Sequence, residues 1–317
     1  MKKILVTRKL LRSNEEKIIK LWDANLNLND EIYSSKKLIE LSEDCDAILS
    51  SIVDKIDENV INKLSDKIKI ISNFAVGFGN IDINAARKRN IMVTNTPDVL
   101  TDATSEIAML LILGSARRAA EGMKRARERN WRWAADFLIG KQLSGSRLGI
   151  LGMGRIGRAV AKRARAFGME IHYHNRKKLS PDLELGAIYQ KSIKDLFSVS
   201  DVLSINCPAT EETKNIINKK TLEYFPTGAI ITNSARGDMI DDEAMVTALK
   251  NRKIYALGLD VYKGEPDIHP GYLTNPNVFV LPHLGSATKK TRLDMADLAI
   301  TNIEEFFKTG KCRNSVN

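Results

Sequence analysis

The chain has 317 residues, 43% of them hydrophobic, with 49 basic and 39 acidic side chains and a formal charge of +10. That length suits two domains, the composition excludes a disordered chain, and no apolar run approaches the ~20 residues needed to span a bilayer. Three widely spaced cysteines, Cys45, Cys207 and Cys312, exclude a disulfide framework and metal-type spacing, so no metal is expected and the expected setting is a reducing cytoplasm.

The start, MKKILVTRKL, reads as a first strand rather than a leader, because charge returns at Arg8 and no small-residue cleavage site follows. KILVT (Lys3–Thr7), AILSS (Ala47–Ser51), IKIIS (Ile68–Ser72) and IMVT (Ile91–Thr94) have the β-branched, apolar character of buried strands. Between them ENVINKL (Glu58–Leu64) and DINAARKR (Asp82–Arg89) read as helices. This alternation predicts a parallel sheet.

From Val99 to Ala120 the chain lacks breakers, which predicts one long helix leaving the first domain and entering the second. The local basic excess RRAAEGMKRARERNWRW (Arg117–Trp133) follows. No zinc-finger spacing or aromatic RNA-binding signature accompanies it, so neither nucleic acid nor membrane is an expected partner. A second strand series is expected at RLGIL (Arg147–Leu151), EIHYH (Glu170–His174), AIYQ (Ala187–Gln190), VLSIN (Val202–Asn206), AIITN (Ala229–Asn233), ALGLD (Ala256–Asp260) and VFVLP (Val278–Pro282). A last helix over 289–308 returns to the first domain. The expected fold is α/β, two doubly wound parallel-sheet domains: residues 1–99 with 288–317 form a flavodoxin-like substrate domain, and 100–287 an inserted Rossmann domain.

GMGRIG (Gly152, Met153, Gly154, Arg155, Ile156, Gly157) directly follows a strand and opens a helix. In that context the first glycine permits a tight turn, the second lets backbone approach a pyrophosphate, and the third lets the helix pack on the strand. The helix N-terminus supplies N–H groups and a positive dipole end for phosphates.

About 20 residues after such a turn an acid often binds the adenosine ribose. Here the chain reads Asn175, Arg176, Lys177, Lys178. Asn175 removes the repulsion an acid would exert on a 2′-phosphate, and Arg176 with Lys177 or Lys178 can pair with that phosphate. NADP is therefore the expected cofactor, with NAD possible. The alternative is a solvated basic loop that says nothing about cofactor choice.

Three polar segments sit at predicted strand ends: TNSARGDMID (Thr232–Asp241), GLDVYKGEP (Gly258–Pro266) and LPHLGSAT (Leu281–Thr288). That edge of an open α/β sheet binds ligands. Reduction of a 2-keto acid needs a guanidinium to hold the carboxylate and polarise the carbonyl, and a protonated imidazole to supply the proton. It also needs a carboxylate to orient that imidazole. Arg236, His283 and Glu265 supply these parts.

With these motifs the sequence resembles the D-isomer-specific 2-hydroxyacid dehydrogenase family along essentially its whole length: GMGRIG, NSARG, GLDV…EP and PHLGSAT occur in the family's order. The resemblance implies catalytic Arg236, Glu265 and His283. It also implies a substrate loop in ISNFAVGFGNID (Ile71–Asp82), where Val76 and Gly77 bind the carboxylate through backbone N–H groups alongside Arg236 and His283. Gly79 stands where the family usually has Asp or Asn, a departure expected to loosen the loop. Thr104, Cys207 and Pro208 are implied cofactor neighbours. Thr213, Ser234, Ala235, Asp260, His283, Gly285 and Ser286 complete the implied cofactor set. Cys207 itself reads as a small packed residue without a redox role.

His172 and His174 alternate on one strand without further ligands and read as ordinary strand residues, and His269 as structural. The family dimerises near Trp131 and Trp133, so a homodimer is expected. Those side chains are read as interface, as lining for the neighbour's active site, or as core. FAVGFGNID, RWAADFLIG and HNRKK look most like glyoxylate and hydroxypyruvate reductases, which implies glyoxylate to glycolate and hydroxypyruvate to D-glycerate. Two alternatives within the family are an NAD-dependent D-3-phosphoglycerate or other D-2-hydroxyacid dehydrogenase, often with a regulatory domain, and a formate dehydrogenase. The latter would carry glutamine in place of Glu265. Outside enzymes, a cofactor-sensing corepressor-like binding protein shares the fold.

Overall fold

A computed structural model describes residues 1–317 and resolves into two compact units, Met1–Leu100 with Ala287–Asn317, and Thr101–Ser286. The first unit begins β1 (Lys3–Val6), α1 (Arg12–Leu21), β2 (Asp23–Leu26), α2 (Ser35–Ser42), β3 (Ala47–Ser51), α3 (Glu58–Lys63), β4 (Ile70–Phe74), α4 (Ile83–Lys88) and β5 (Met92–Thr94). The second contains α5 (Thr101–Ala116), α6 (Ala119–Arg127), β6 (Arg147–Leu151), α7 (Arg155–Ala166), β7 (Glu170–His174), α8 (Pro181–Glu184) and β8 (Ile188–Tyr189). It continues with α9 (Ile193–Val199), β9 (Val202–Ile205), α10 (Lys219–Leu222), β10 (Ala229–Asn233), α11 (Asp242–Lys250), β11 (Ile254–Leu259), α12 (Pro270–Leu273) and β12 (Val278–Val280). The chain returns to the first unit as α13 (Lys289–Thr309).

Both sheets are wholly parallel, ordered β2-β1-β3-β4-β5 and β12-β11-β10-β9-β6-β7-β8. The first is the flavodoxin-like order. The second is the dinucleotide-binding order with one added edge strand. The strand order reverses once in each sheet, between β1 and β3 and between β6 and β9, and ligands bind outside the strand C-termini at such a switch.

Alternate residues of each strand enter separate cores, as a sheet covered on both faces requires. In the first unit Leu5, Ile48, Ile71 and Val93 pack with Val60 and Ile61 on one face, while Ile4, Val6, Leu49 and Ile70 meet Ile18, Ala299, Ile300 and Ile303 on the other. In the second, Ile150, Val202 and Ile230 face Ile112, Val160 and Ala164. Leu151, Leu203, Ile231 and Leu257 face Phe197, Met245 and Leu249.

Several elements differ from expectation, among them β11, which starts at Ile254 rather than Ala256, and β12, which ends at Val280 rather than Pro282. β2, DANL, pairs only with β1 at the sheet edge, and its polar, partly exposed residues lack the apolar run of a buried strand. β4 starts at Ile70 rather than Ile68 and extends to Phe74. The long helix is broken: α5 ends at Ala116, Arg118 turns left-handed (φ 53°), and the Lys141 N–H takes the Ala116 carbonyl at 2.7 Å. Apolar residues fill α5, whereas none of α6 is buried, so nothing continues the packing across Arg117 and Arg118.

Candidate active site

β6 ends against a turn that only glycine can make. Gly152 has φ +95°, and a Cβ there would meet the Cys207 nitrogen, just beyond β9, at 2.5 Å. At Gly154 the opposite holds: a Cβ would meet nothing within 4 Å, and this residue opens the 12-residue α7 with no side-chain cap. The turn thus leaves open space in front of an uncapped helix N-terminus, a fit for a pyrophosphate. Arg155 is exposed there, Ile156 packs partly into the core, and Gly157 is buried.

Asn175 has a role that its position alone did not disclose. Its Oδ1 accepts the Met153 N–H at 2.7 Å, and its carbonyl accepts Tyr189 Oη at 3.3 Å. Farther along, the Tyr173 hydroxyl accepts the Leu179 N–H at 3.0 Å and donates to Glu184. The basic loop is therefore pinned at both ends. Lys178 is 3.8 Å from Glu184, while Arg176 and Lys177 are exposed and make no ion pair. Beyond β9, Thr213 Oγ1 donates to the Pro208 carbonyl at 2.9 Å and accepts the Thr210 N–H at 2.8 Å, shaping the loop after Cys207. Burial pushes the Cys207 thiol up to about 11, so it is a packed thiol and a poor nucleophile.

At the end of β10, Asn233 organises the turn that carries Ser234, Ala235 and Arg236. Its Oδ1 accepts the Ala235 N–H at 2.9 Å and its Nδ2 donates to the Arg236 carbonyl at 2.7 Å. Gly237 follows, and a Cβ there would lie 2.1 Å from the Tyr262 carbonyl carbon, so its absence lets this turn rest on the loop that bears Glu265. The Arg236 guanidinium donates to the Ala235 carbonyl at 2.6 Å. Burial pushes it down and Glu265 opposes that; a guanidinium stays charged regardless.

His283 Nδ1 is 2.7 Å from Glu265 Oε2, and Glu265 Oε1 accepts the Tyr262 N–H at 3.1 Å. Burial works to raise the Glu265 carboxyl, but the His283 hydrogen bond and charge, the Tyr262 N–H and Arg236 outweigh it and hold the carboxyl below its usual value. The His283 turn is fixed from below. Asp260, 1% exposed, accepts the Leu284 and Gly285 N–H groups at 2.6 and 2.8 Å, and its carbonyl accepts the His283 N–H at 2.9 Å. Thr104 Oγ1 donates to the Gly285 carbonyl at 3.1 Å, and Ser286 closes the unit. Asp260 and Thr104 thus hold the histidine turn, and both Asp260 oxygens are occupied in doing so.

In the first unit, Asn95 Nδ2 donates to the Val76 carbonyl at 2.8 Å and Asn73 Nδ2 to the Gly77 carbonyl at 2.9 Å. Asn80 Nδ2 donates to the Ser51 and Asp54 carbonyls at 2.9 and 3.1 Å. The Val76 and Gly77 N–H groups make no hydrogen bond within the chain. The loosening expected at Gly79 is countered by these amides. Gly79 itself has open space at its Cβ position and no left-handed backbone. Asn73, Asn80, Asn95 and Asn233 were not among the candidates drawn from sequence; a short amide beside each glycine-bearing turn was the available signal.

His172 lies between Glu170 and Gln190, His174 bonds the Gln190 carbonyl, and His269 caps α12, its Nδ1 accepting the Gly271 N–H. No group of three or more His, Cys, Asp or Glu is placed to hold a metal. Trp131 and Trp133 are 57% and 80% exposed, which overturns the core-packing alternative for them. No helix is long and apolar enough to cross a membrane.

A dinucleotide-binding sheet whose strand ends gather an open glycine turn, a half-buried arginine and a histidine–glutamate pair defines a nicotinamide-dependent dehydrogenase, an oxidoreductase. Residues 109–285 match the family model "D-isomer specific 2-hydroxyacid dehydrogenase, NAD binding domain". The chain belongs to the D-isomer specific 2-hydroxyacid dehydrogenase family. It is 41% identical to the glycerate dehydrogenase of Hyphomicrobium methylovorum over 96% of each chain, and 38% identical to the glyoxylate reductase of Thermococcus litoralis over 99% of this chain and 96% of that one. Among solved structures it resembles the NADPH-dependent glyoxylate/hydroxypyruvate reductase of Sinorhizobium meliloti in complex with NADP and malonate, with TM-score 0.89 and 31% identity, over 99% of this chain and 96% of that one.

Proposed function

We propose that this protein reduces short 2-keto acids to D-2-hydroxy acids, glyoxylate to glycolate and hydroxypyruvate to D-glycerate, and uses NADPH in preference to NADH. The observation that carries the reading is the 2.7 Å His283–Glu265 contact on the sheet edge that also carries Arg236. The names of the glycerate dehydrogenase and glyoxylate reductase relatives support it.

The Gly152–Gly157 turn and the N-terminus of α7 would hold the pyrophosphate of the dinucleotide, whose reduced nicotinamide would supply a hydride when bound. Arg236 holds the keto-acid carboxylate and polarises its carbonyl. Glu265, ionised at neutral pH, keeps His283 in the tautomer that carries its proton on Nδ1 and stabilises the imidazolium. His283 Nε2–H then delivers a proton to the forming alkoxide. In the first unit, the N–H groups of Val76 and Gly77 serve as further donors for a carboxylate. Arg176 and Lys177 are proposed as the 2′-phosphate clamp, since both lack ion-pair partners on a loop whose ends are fixed. Residues 1–99 with 288–317 are assigned to substrate binding and 100–287 to the cofactor.

We also propose a homodimer in the cytoplasm. Met123, Trp131, Trp133 and Ile139 are 50%, 57%, 80% and 61% exposed within one stretch, an apolar surface suited to a second copy.

The test is loss of reduced-cofactor absorbance with glyoxylate and hydroxypyruvate, NADPH against NADH. Faster turnover with NADPH, reversed when Arg176 and Lys177 are both replaced by neutral residues, supports the clamp. Preference for NADH in the unaltered chain discards it.

A further inference from the structure

We infer that Arg292 selects substrate: it recognises a hydrogen-bond-accepting substituent at C3 of the 2-keto acid, the 3-hydroxyl of hydroxypyruvate or a 3-carboxylate. This rests on the reductase reading above and extends it.

Arg292 is anomalous among the arginines. It lies in the first turn of the 21-residue α13, half-buried, with its guanidinium 5.7 Å over the Phe74 ring. It makes no ion pair and no side-chain hydrogen bond. Other arginines of the first unit that sit low on the surface have carboxylates, as Arg8 has Asp30 and Arg89 has Asp66. Burial pushes the Arg292 guanidinium down with no acid to oppose it; among arginines only Arg236 shares that direction. A partly desolvated guanidinium without an acceptor is costly. Its setting adds to the imbalance. The first turn of α13 contains no acid, and Lys289, Lys290 and Arg292 crowd the positive end of the helix, where Lys290 alone pairs, with Asp294.

The position says what would satisfy it. Phe74 is the last residue of β4, and the chain goes directly from it into the loop whose Val76 and Gly77 N–H groups are unused. Stacking on the ring fixes the aliphatic stem and leaves the donor fork to an outside acceptor. Glyoxylate has no C3 and cannot engage it. Hydroxypyruvate offers one acceptor oxygen, and ketomalonate a planar carboxylate that matches the guanidinium fork.

The test compares kcat/KM for glyoxylate, hydroxypyruvate and ketomalonate in the full-length protein and in R292M, whose unbranched side chain keeps contact with Phe74. The expected result is a fall of about tenfold or more for ketomalonate and hydroxypyruvate, with glyoxylate changed by less than about threefold. R292K, which keeps the charge without the fork, is expected to recover part of the ketomalonate rate. A parallel fall for all three substrates in R292M and R292K, or no change for any, overturns the assignment. Glyoxylate turnover by the unaltered protein tests the reductase reading separately, because that substrate does not use Arg292.

Discussion

His283 and Glu265 meet at 2.7 Å although the histidine backbone is left-handed (φ 55°), and the Asp260 carboxylate and carbonyl hold that turn in place. A non-glycine residue in this region is uncommon, and it persists only where its surroundings over-determine it. H283N is therefore expected to fold and to lose about 10²–10⁴-fold in kcat, with a smaller change in KM. E265Q is expected to lose less, about 10–100-fold, because it removes orientation and charge rather than the proton donor. Steady-state rates with glyoxylate check both.

The same pair makes stability depend on pH. The Glu265 carboxyl is held below the usual glutamate value in the folded chain by His283, the Tyr262 N–H and Arg236, so its stabilising effect is complete above that usual value and is lost as pH falls through the lower folded value. E265Q is expected to melt below the unaltered protein at pH 7 and to converge with it as the pH drops below 4.5. Melting curves from pH 7 to 3 check this; a gap that persists unchanged at low pH counts against an ionised Glu265.

Asn175 permits a substitution that changes charge and little else. Its Oδ1 accepts the Met153 N–H, and an aspartate keeps that acceptor. N175D is expected to preserve the melting temperature and raise KM for NADPH by about tenfold, with NADH less affected. Equal changes for both cofactors would place the 2′-phosphate elsewhere.

Asn95 should act on substrate and spare the cofactor. It orients the Val76 peptide through one hydrogen bond to the carbonyl and is itself only half-buried. N95A is expected to raise KM for glyoxylate severalfold, leave KM for NADPH unchanged, and cost about 1 kcal/mol of stability. Kinetics in both substrates together with denaturant titration separate these effects.

Gly237 is a stricter requirement. A methyl group there would sit 2.1 Å from the Tyr262 backbone, where no flexible side chain can yield. G237A is expected to displace Arg236 from the Glu265 loop, destabilise the protein by about 1–3 kcal/mol, and reduce kcat more than the loss of folded protein accounts for.

Local chemistry marked much of this in the sequence. RLGIL and AIITN coincide with β6 and β10 because each is mainly apolar and bounded by a turn, and EIHYH coincides with β7, where Ile171 and Tyr173 alternate with polar residues. The glycine turn was visible because strand, glycines and helix are contiguous. β2 was not, since DANL owes its strand form to pairing with β1 and has little apolar character of its own. Nor was the break at Arg118, which depends on Lys141 reaching back to Ala116. Arg236, Glu265 and His283 could be named from residue type and order, but Thr104 on Gly285 and Arg292 on Phe74 join distant parts of the chain and leave no local pattern.

The five-stranded unit takes its last helix from the far end of the chain, and Ala299, Ile300 and Ile303 of α13 cover the face formed by Ile4, Val6, Leu49 and Ile70. On the ribosome those strands emerge first and are covered last. Synthesis of residues 101–286 intervenes, a delay on the order of 10–40 s at ordinary elongation rates. The larger unit has its whole sequence available earlier, although it begins later. During that interval the nascent strands present an uncovered apolar face, so the vulnerable moment for aggregation falls before translation ends, and it lengthens whenever elongation slows within the insert.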